Sequence, residues 1–351
     1  MDFPVNLYYE HKPENIQVLD LCRGDDDFRK IYLTTNDQRK IAIKHTSNSF
    51  TDREHIEGWF RLAEAYRNIG IYCPSPVCNL KGETVNCYIN DGKIYYVYAE
   101  EFAKFPTAES IGEDKFKSVE GRPIFLREMM KSLGRVAEAK LDVVSFHSGY
   151  CLLEPYAPPD TTDETTECTM LFVEFIRDYL PDFQKDADEI WDRFLQIKDT
   201  LRKSYHTLPT SCFQADLNQS NILLDEKYDF AGLIDFNLSG KEPSLNYLTR
   251  EALWWADDDA MYDNGNALWY YDEKIDARRM NHFRKNMEAI GEEYRYSPCE
   301  REIFPVLFQY INSIWWGDIR ELKCIKNDPN LIRKLLQYIK IQLMRTDISL
   351  P

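Results

Sequence analysis

The residues from Phe213 to Asn237, FQADLNQSNILLDEKYDFAGLIDFN, limit what this chain can fold into more than any other stretch. Two short apolar runs, Ile222-Leu223-Leu224 and Ala231-Gly232-Leu233-Ile234, flank the polar segment Asp225–Asp229, which is the pattern of two strands and their turn. Closing such a hairpin brings its outer ends together. Asn221 and Asp235 are therefore expected side by side, with Asp216 in the loop just upstream. Two carboxylates and one carboxamide would converge at one end of the hairpin, and oxygen ligands of that type suit a hard cation such as Mg²⁺. Taken singly, each residue fits an Asp or Asn that caps a turn. Their joint spacing is what points to chemistry.

The preceding chain splits into two kinds of pattern. Ile16–Leu21, Lys30–Thr34 and Lys40–His45 alternate as strands, with the loop Cys22–Arg29 after the first and the tight turn Asn36-Asp37 before the third. From Asp52 to Asn68 the spacing becomes helical: Ile56, Phe60, Ala63 and Tyr66 form one stripe, widened by Trp59 and Leu62. Thr51 or Asp52 can cap its start and Gly70 its end. Pro74 and Pro76 break the chain, and Val85–Ile89 with Ile94–Tyr98 form a hairpin around Asn90-Asp91-Gly92. The order β-β-β-α-β-β gives a small sheet with one helix. Glu100–Pro106 reads as a crossover out of it, after which helices dominate, at about 123–139, 170–179, 184–203 and 330–345. The acidic, Pro- and Thr-rich Glu154–Cys168 has no periodicity and is expected to be an exposed loop or lid. These patterns predict an α+β chain of two lobes, 1–99 and 100–351.

Composition supports that size and narrows the partners. A chain of 351 residues exceeds what one core usually takes, and 44% hydrophobic residues exclude global disorder. The net charge of −16 argues against non-specific nucleic-acid binding and favours cationic ligands. Nine scattered Cys form no CxxC pair, as expected of free thiols in a reducing compartment. Charged residues interrupt every apolar run well short of the roughly 18 needed to cross a bilayer, so no membrane partner is expected. The N-terminal MDFPVNLYYEHKPENI lacks the basic-then-apolar order of a signal peptide, and the expected location is the cytoplasm. The six His show no metal-ligand spacing.

A small β-β-β-α-β-β lobe, a Lys on its third strand (Lys44), and Asp216-Leu217-Asn218-Gln219-Ser220-Asn221-Ile222-Leu223 followed by Ile234-Asp235-Phe236 together resemble the protein-kinase-like superfamily. The run D-L-x-x-x-N-I-L is most similar to the aminoglycoside phosphotransferase and choline kinase branch. The resemblance covers nearly the whole chain in order, with its specific content in some thirty residues. It implies a bilobal enzyme that transfers the γ-phosphate of ATP or GTP to a small-molecule hydroxyl. Asp216 would accept or orient the hydroxyl proton, Asn221 and Asp235 would hold Mg²⁺, and Lys44 would grip the α/β-phosphates. A helix carboxylate, Glu57 first and Glu54 second, would hold Lys44. The base would rest against backbone groups of the crossover, at Ala99, Glu100, Glu101 and Phe102.

The chain departs from that family in three places. Gln214 stands where a His supports the catalytic loop, and Gln can also donate and accept. Asn237 replaces the Gly of the D-F-G-like motif. The loop expected at the phosphates, Arg23-Gly24-Asp25-Asp26-Asp27-Phe28-Arg29, has one Gly and three acids. An Asp about 4 Å from a phosphate charge, at an effective dielectric near 20, costs on the order of 4 kcal/mol. The three acids therefore either face solvent, leaving Arg23 or Arg29 to meet phosphate, or weaken nucleotide binding. Asp257-Asp258-Asp259 after Trp254-Trp255 would suit a cationic acceptor such as an amino sugar or amino alcohol, or else form a solvated helix face. Two rival functions remain open: a nucleotide-binding pseudokinase or scaffold, and a Mg²⁺-dependent phosphohydrolase in which Asp216 orients water.

Overall fold

In a computed structural model, which describes residues 3–24, 26–36, 39–155, 161–263 and 266–351, side-chain alternation on the third strand sets the architecture. That strand is β3 (Arg39–Ser47), and it buries Ile41 and Ile43 on one face. Period-two geometry puts Ala42 and Lys44 on the other. A short helical turn, α1 (Phe3–Asn6), covers the apolar face together with Tyr8, Tyr32, Val77, Val97 and Ala99, which form a small core of their own. Around β3 lie β1 (Asn15–Asp20), β2 (Phe28–Asn36), β4 (Pro76–Val77), β5 (Val85–Asn90) and β6 (Lys93–Glu101). Every pairing is antiparallel, in the order β1-β2-β3-β6-β4, with β5 also on β6.

Helix α2 (Arg53–Asn68) follows β3, as the helical stripe predicts. Asp52 is its cap, its Oδ1 accepting from the His55 backbone N–H at 2.8 Å, and Gly70 leaves it with φ 84°. The stripe Ile56, Trp59, Phe60, Leu62, Ala63 and Tyr66 is buried, each large side chain contributing about 1.5–3 kcal/mol. These residues join the same continuous core as the C-terminal helices. β6 runs through Glu101, so the boundary expected between residues 99 and 100 falls inside a strand.

The larger part is helical: α3 (Ala108–Ile111), α4 (Leu126–Ala139), α5 (Glu164–Tyr179), α6 (Gln184–Tyr205), α7 (Ser244–Trp254), α8 (Glu273–Gly291), α9 (Pro298–Ile311), α10 (Trp316–Ile325) and α11 (Pro329–Gln342). Among them lie β7 (Thr210–Phe213) paired with β10 (Gly240–Pro243), and the hairpin β8 (Ile222–Leu224)–β9 (Phe230–Leu233). α5 begins six residues before the expected start. Asp163 caps it, accepting from the Thr166 N–H at 3.1 Å, and is itself paired with buried Lys198 at 3.1 Å. Glu164–Cys168 is therefore helix rather than lid, with Cys168 buried, and residues 156–160 of the expected lid lie outside the described residues. The two-residue β4 was not expected, because Pro76 argues against a strand; its pairing is short enough to tolerate the missing N–H. No helix among the described residues is long and apolar enough to cross a membrane.

Candidate active site

The hairpin β8–β9 pairs Ile222 with Leu233, and the Ile234 N–H donates to the Asn221 carbonyl at 3.0 Å. Its open end thus sets Asn221 beside Asp235. Asn221 Nδ2 also donates to Asp216 Oδ2 at 2.9 Å, and Asn218 Nδ2 donates to Asp216 Oδ1 at 2.9 Å. One amide on each oxygen fixes the carboxylate plane. Burial, with a further push from Asp235, raises the Asp216 pKa above the ordinary carboxylate value, which makes it a better proton acceptor once ionised.

Gln214 takes the supporting role expected of it. It is fully buried, accepts from the Asp216 N–H at 2.8 Å, and donates to the carbonyls of Ile234 at 3.1 Å and Asp235 at 2.7 Å. One amide therefore ties the loop of Asp216 to that of Asp235. Both loops carry left-handed backbone at non-glycine residues, Ala215 at φ 67° and Asp235 at φ 57°. Such conformations are uncommon and persist where the surroundings enforce them.

Lys44 reaches this group from β3. Its Nζ lies 3.2 Å from Asp235 Oδ1 and 3.0 Å from Glu100 Oε2. Burial acts to lower its pKa, but Asp235 and Glu100 carry it well above the usual lysine value, so the ammonium stays charged. The expected partner Glu57 is not there. It is half-buried on α2 and paired with Arg53 at 3.4 Å, while Glu54 is exposed on the first turn. The face that α2 turns to the cleft carries Trp59 instead.

A cleft of about 740 Å³ holds Lys44, Asp216, Asn218, Asn221 and Asp235 together. Tyr98, Trp59 and Asn237 also line it, and the indole N–H of Trp59 and the amide oxygen of Asn237 are buried with no hydrogen-bond partner among the described residues. At the expected crossover, some of the backbone groups are already paired. β6 keeps pairing with β3 as far as Glu101, the Glu101 N–H donates to Ser75 O at 2.9 Å, and the Phe102 N–H donates to Lys40 O at 3.0 Å. Ala99 is buried within the sheet, and Glu101 and Phe102 are exposed. Those two N–H groups are spent inside the protein, and the Glu100 carboxylate reaches a cleft residue, Lys44, at 3.0 Å.

The acidic loop is resolved into pairs where it is described. Asp27 is bound by Arg29 at 2.6 Å, and the fully exposed Asp26 lies 3.4 Å from Lys93. Asp25 lies outside the described residues. Arg23, Arg29 and Lys30 all line the cleft. Asp257-Asp258-Asp259 does not act as one unit: Asp258 is buried, Asp259 is exposed, and Asp257 lines a cavity of about 430 Å³ with Trp254, Trp269 and Trp315. Asp257 pairs with Arg279 at 2.8 Å, Asp258 with Arg278 at 2.6 Å and Asp259 with Lys117 at 2.8 Å.

A second group of acids faces open space beside Asp216; three of them belong to the acidic Glu154–Cys168 stretch singled out in the sequence, whereas Glu251 was missed by sequence reasoning. On the far side of Asp216 a recess of about 100 Å³ is walled by Arg250, Glu251, Trp254 and Trp315, and Arg250 and Trp315 continue into a cavity of about 250 Å³ lined by Glu154, Glu164 and Glu167. Trp254 and Trp315 stack with centroids 5.2 Å apart. Arg250 is buried against Glu251 at 3.2 Å and lies over the Tyr150 ring at 4.4 Å. Burial pushes Glu251 up to about 7 despite that cation. Spacing alone could not find this set, because its members come from four separate segments.

No family model matches the chain, and no curated protein matches it. Among solved structures, an amicoumacin kinase, hAmiN, in complex with AMP-PNP, Ca²⁺ and Ami superposes over 97% of this chain and 92% of its own, with a TM-score of 0.53 at 16% identity. A microcompartment-associated aminopropanol kinase superposes over 97% and 93%, with a TM-score of 0.50 at 12% identity. The chain therefore shares the bilobal fold of these two structures, in agreement with the fold expected from its motifs.

Proposed function

We propose that this chain is a phosphotransferase that moves the γ-phosphate of a nucleoside triphosphate, ATP or GTP, to a hydroxyl on a small cationic molecule. One observation carries the reading: Lys44, Asp216, Asn221 and Asp235, from two lobes, meet in one cleft. Phosphoryl transfer asks a protein mainly for positioning and charge stabilisation. Lys44 supplies a fixed positive charge for the phosphates. Asp216, held by Asn218 and Asn221, takes the proton of the attacking hydroxyl at a carboxylate oxygen.

The donors also suit a hard cation. Asn221 and Asp235 offer oxygens, Asn237 adds a buried carbonyl oxygen without a partner, and among the described residues no cluster of three or more His, Cys, Asp or Glu gathers to hold a metal alone. That is the donor set for Mg²⁺, which binds by one or two carboxylates and otherwise by phosphate oxygens and water. When bound, the ion neutralises charge on the transferring phosphate; the protein's part is to hold Asn221 and Asp235 side by side.

Glu251, Glu164 and the stacked Trp254 and Trp315 support a cationic acceptor, through charge pairing and cation–π contact, in the place first given to Asp257-Asp258-Asp259. The aminopropanol kinase named above carries a name that fits such an acceptor. The test is transfer of label from γ-labelled ATP with Mg²⁺ to a panel of amino alcohols and amino sugars. The parent should label at least one, and Asp216→Ala should label none while binding nucleotide within a few-fold of the parent. Unimpaired transfer by Asp216→Ala would remove the catalytic assignment. A nucleotide-binding scaffold is the alternative, favoured by the acid-rich loop at the cleft mouth; it would bind nucleotide and label nothing.

A further inference from the structure

The phosphotransfer reading places Lys44 on the phosphates, and the inference here rests on that reading. We infer that Glu100, at the end of β6, is the residue that positions Lys44, a task that α2 does not perform in this chain. Three observations converge on it. Glu100 Oε2 stands 3.0 Å from Lys44 Nζ, and both side chains are about 15% exposed, at 15% and 16%, so the pair is little screened by solvent. Of the two α2 carboxylates expected to hold Lys44, Glu57 is paired with Arg53 and Glu54 is exposed. The cleft-facing position of α2 is filled by Trp59, whose ring packs 6.2 Å from that of Tyr98, the residue paired with Lys44 across the sheet. An indole there leaves no room for a helix carboxylate to approach the ammonium.

The geometry of the sheet makes this arrangement rigid. Ala42 pairs with Glu100 and Lys44 with Tyr98, so Lys44 and Glu100 are diagonal neighbours on adjacent antiparallel strands and project from the same face. Their separation is set by backbone hydrogen bonds of the sheet and not by the seating of a helix. Asp235, the other partner of Lys44, comes from the opposite lobe. When Asp235 turns to a cation, Glu100 keeps the ammonium aimed into the cleft. A shift of α2 would leave Lys44 in place, so helix movement is not a switch for this site.

Glu100→Gln, Glu100→Asp and Glu57→Gln test the inference on the full chain, with nucleotide affinity measured by titrating a fluorescent ATP analogue with Mg²⁺, KM for ATP and kcat measured separately, and thermal unfolding recorded for each. Glu57→Gln should stay within about twofold of the parent. Glu100→Gln should weaken nucleotide binding and raise KM for ATP tenfold or more, and Glu100→Asp, which keeps the charge on a shorter reach, should recover much of the loss. If Glu100→Gln does not fold, Glu100→Asp carries the test, with KM for ATP raised several-fold and kcat nearly kept. The inference is overturned if Glu57→Gln shows the larger nucleotide defect, or if the folded Glu100 variants lower the melting temperature and leave KM for ATP unchanged. A parent that binds no nucleotide would instead overturn the phosphotransfer reading itself, and the inference with it.

Discussion

Glu251 lies next to Asp216 with its carboxylate buried, facing the Arg250 guanidinium and the like charges of Glu242 and Asp216. Burial outweighs Arg250 and pushes it up to about 7 from 4.5. A raised carboxylate stabilises the fold fully below its unfolded value and loses that contribution as pH rises through the folded one. Stability of the parent should therefore fall between pH 5 and 8 by an increment that Glu251→Gln removes, measured by melting temperature across that range. Over the same range the ionising Glu251 gains a negative charge, so KM for a cationic acceptor should fall in the parent and stay flat in Glu251→Gln. Parallel pH profiles for the two proteins would show that Glu251 does not titrate there. At this scale the sequence was informative about Asp216, Asn221, Asp235 and Lys44, because short spacings and one strand hold them. It named Glu100 only for its backbone at the crossover, not for its carboxylate, and it was silent on Glu251. Their importance comes from contacts between distant segments, and each looks like an ordinary surface acid when read in line.

The β8–β9 hairpin was legible because its apolar runs and polar turn are local. Asp225 Oδ1 accepts from the N–H groups of Lys227 at 2.8 Å and Asp229 at 3.0 Å, as a turn Asp should. How the hairpin is docked was not legible. The Leu233 N–H donates to Tyr72 O at 2.9 Å, and a Cβ built on Gly232 would stand 2.0 Å from that same oxygen. Gly232 thus lets the hairpin lie directly on the segment after α2, which fixes the height of Asp235 relative to Lys44. Gly232→Ala must push backbone from backbone and should cost about 1–3 kcal/mol, as overpacking does, read as a lower urea midpoint. A midpoint equal to the parent's would mean that the hairpin is not held there. The missed elements have similar causes. β4 depends on a neighbour strand, the first turns of α5 depend on an Asp163 cap braced by Lys198, and the pairing of Glu57 with Arg53 reflects which face of α2 the core selects.

On the scale of the molecule, two lobes were expected from the change of pattern near residue 100, and the structure joins them more closely than that change suggests. The outer face of the sheet has its own small core, whereas α2 is buried in the same core as the C-terminal helices. Tyr66 of α2 even accepts from the Gln214 N–H at 3.1 Å, so the helix braces the loop of Asp216. The cleft lining sets Arg23, Arg29, Lys30 and Lys44 against Asp216 and Asp235, so cations outnumber acids there on a protein whose net charge is −16. A ligand that binds only the folded chain raises its apparent stability by RT ln(1 + [L]/Kd), about 2.7 kcal/mol at a hundredfold excess over Kd. The most direct measurement is therefore the melting temperature with ATP or GTP, with and without Mg²⁺, for the parent and Asp235→Ala. The account predicts a rise of several degrees that needs nucleotide and Mg²⁺ together and is lost in Asp235→Ala. No shift of the parent at millimolar nucleotide with Mg²⁺, or an equal shift in Asp235→Ala, would contradict it.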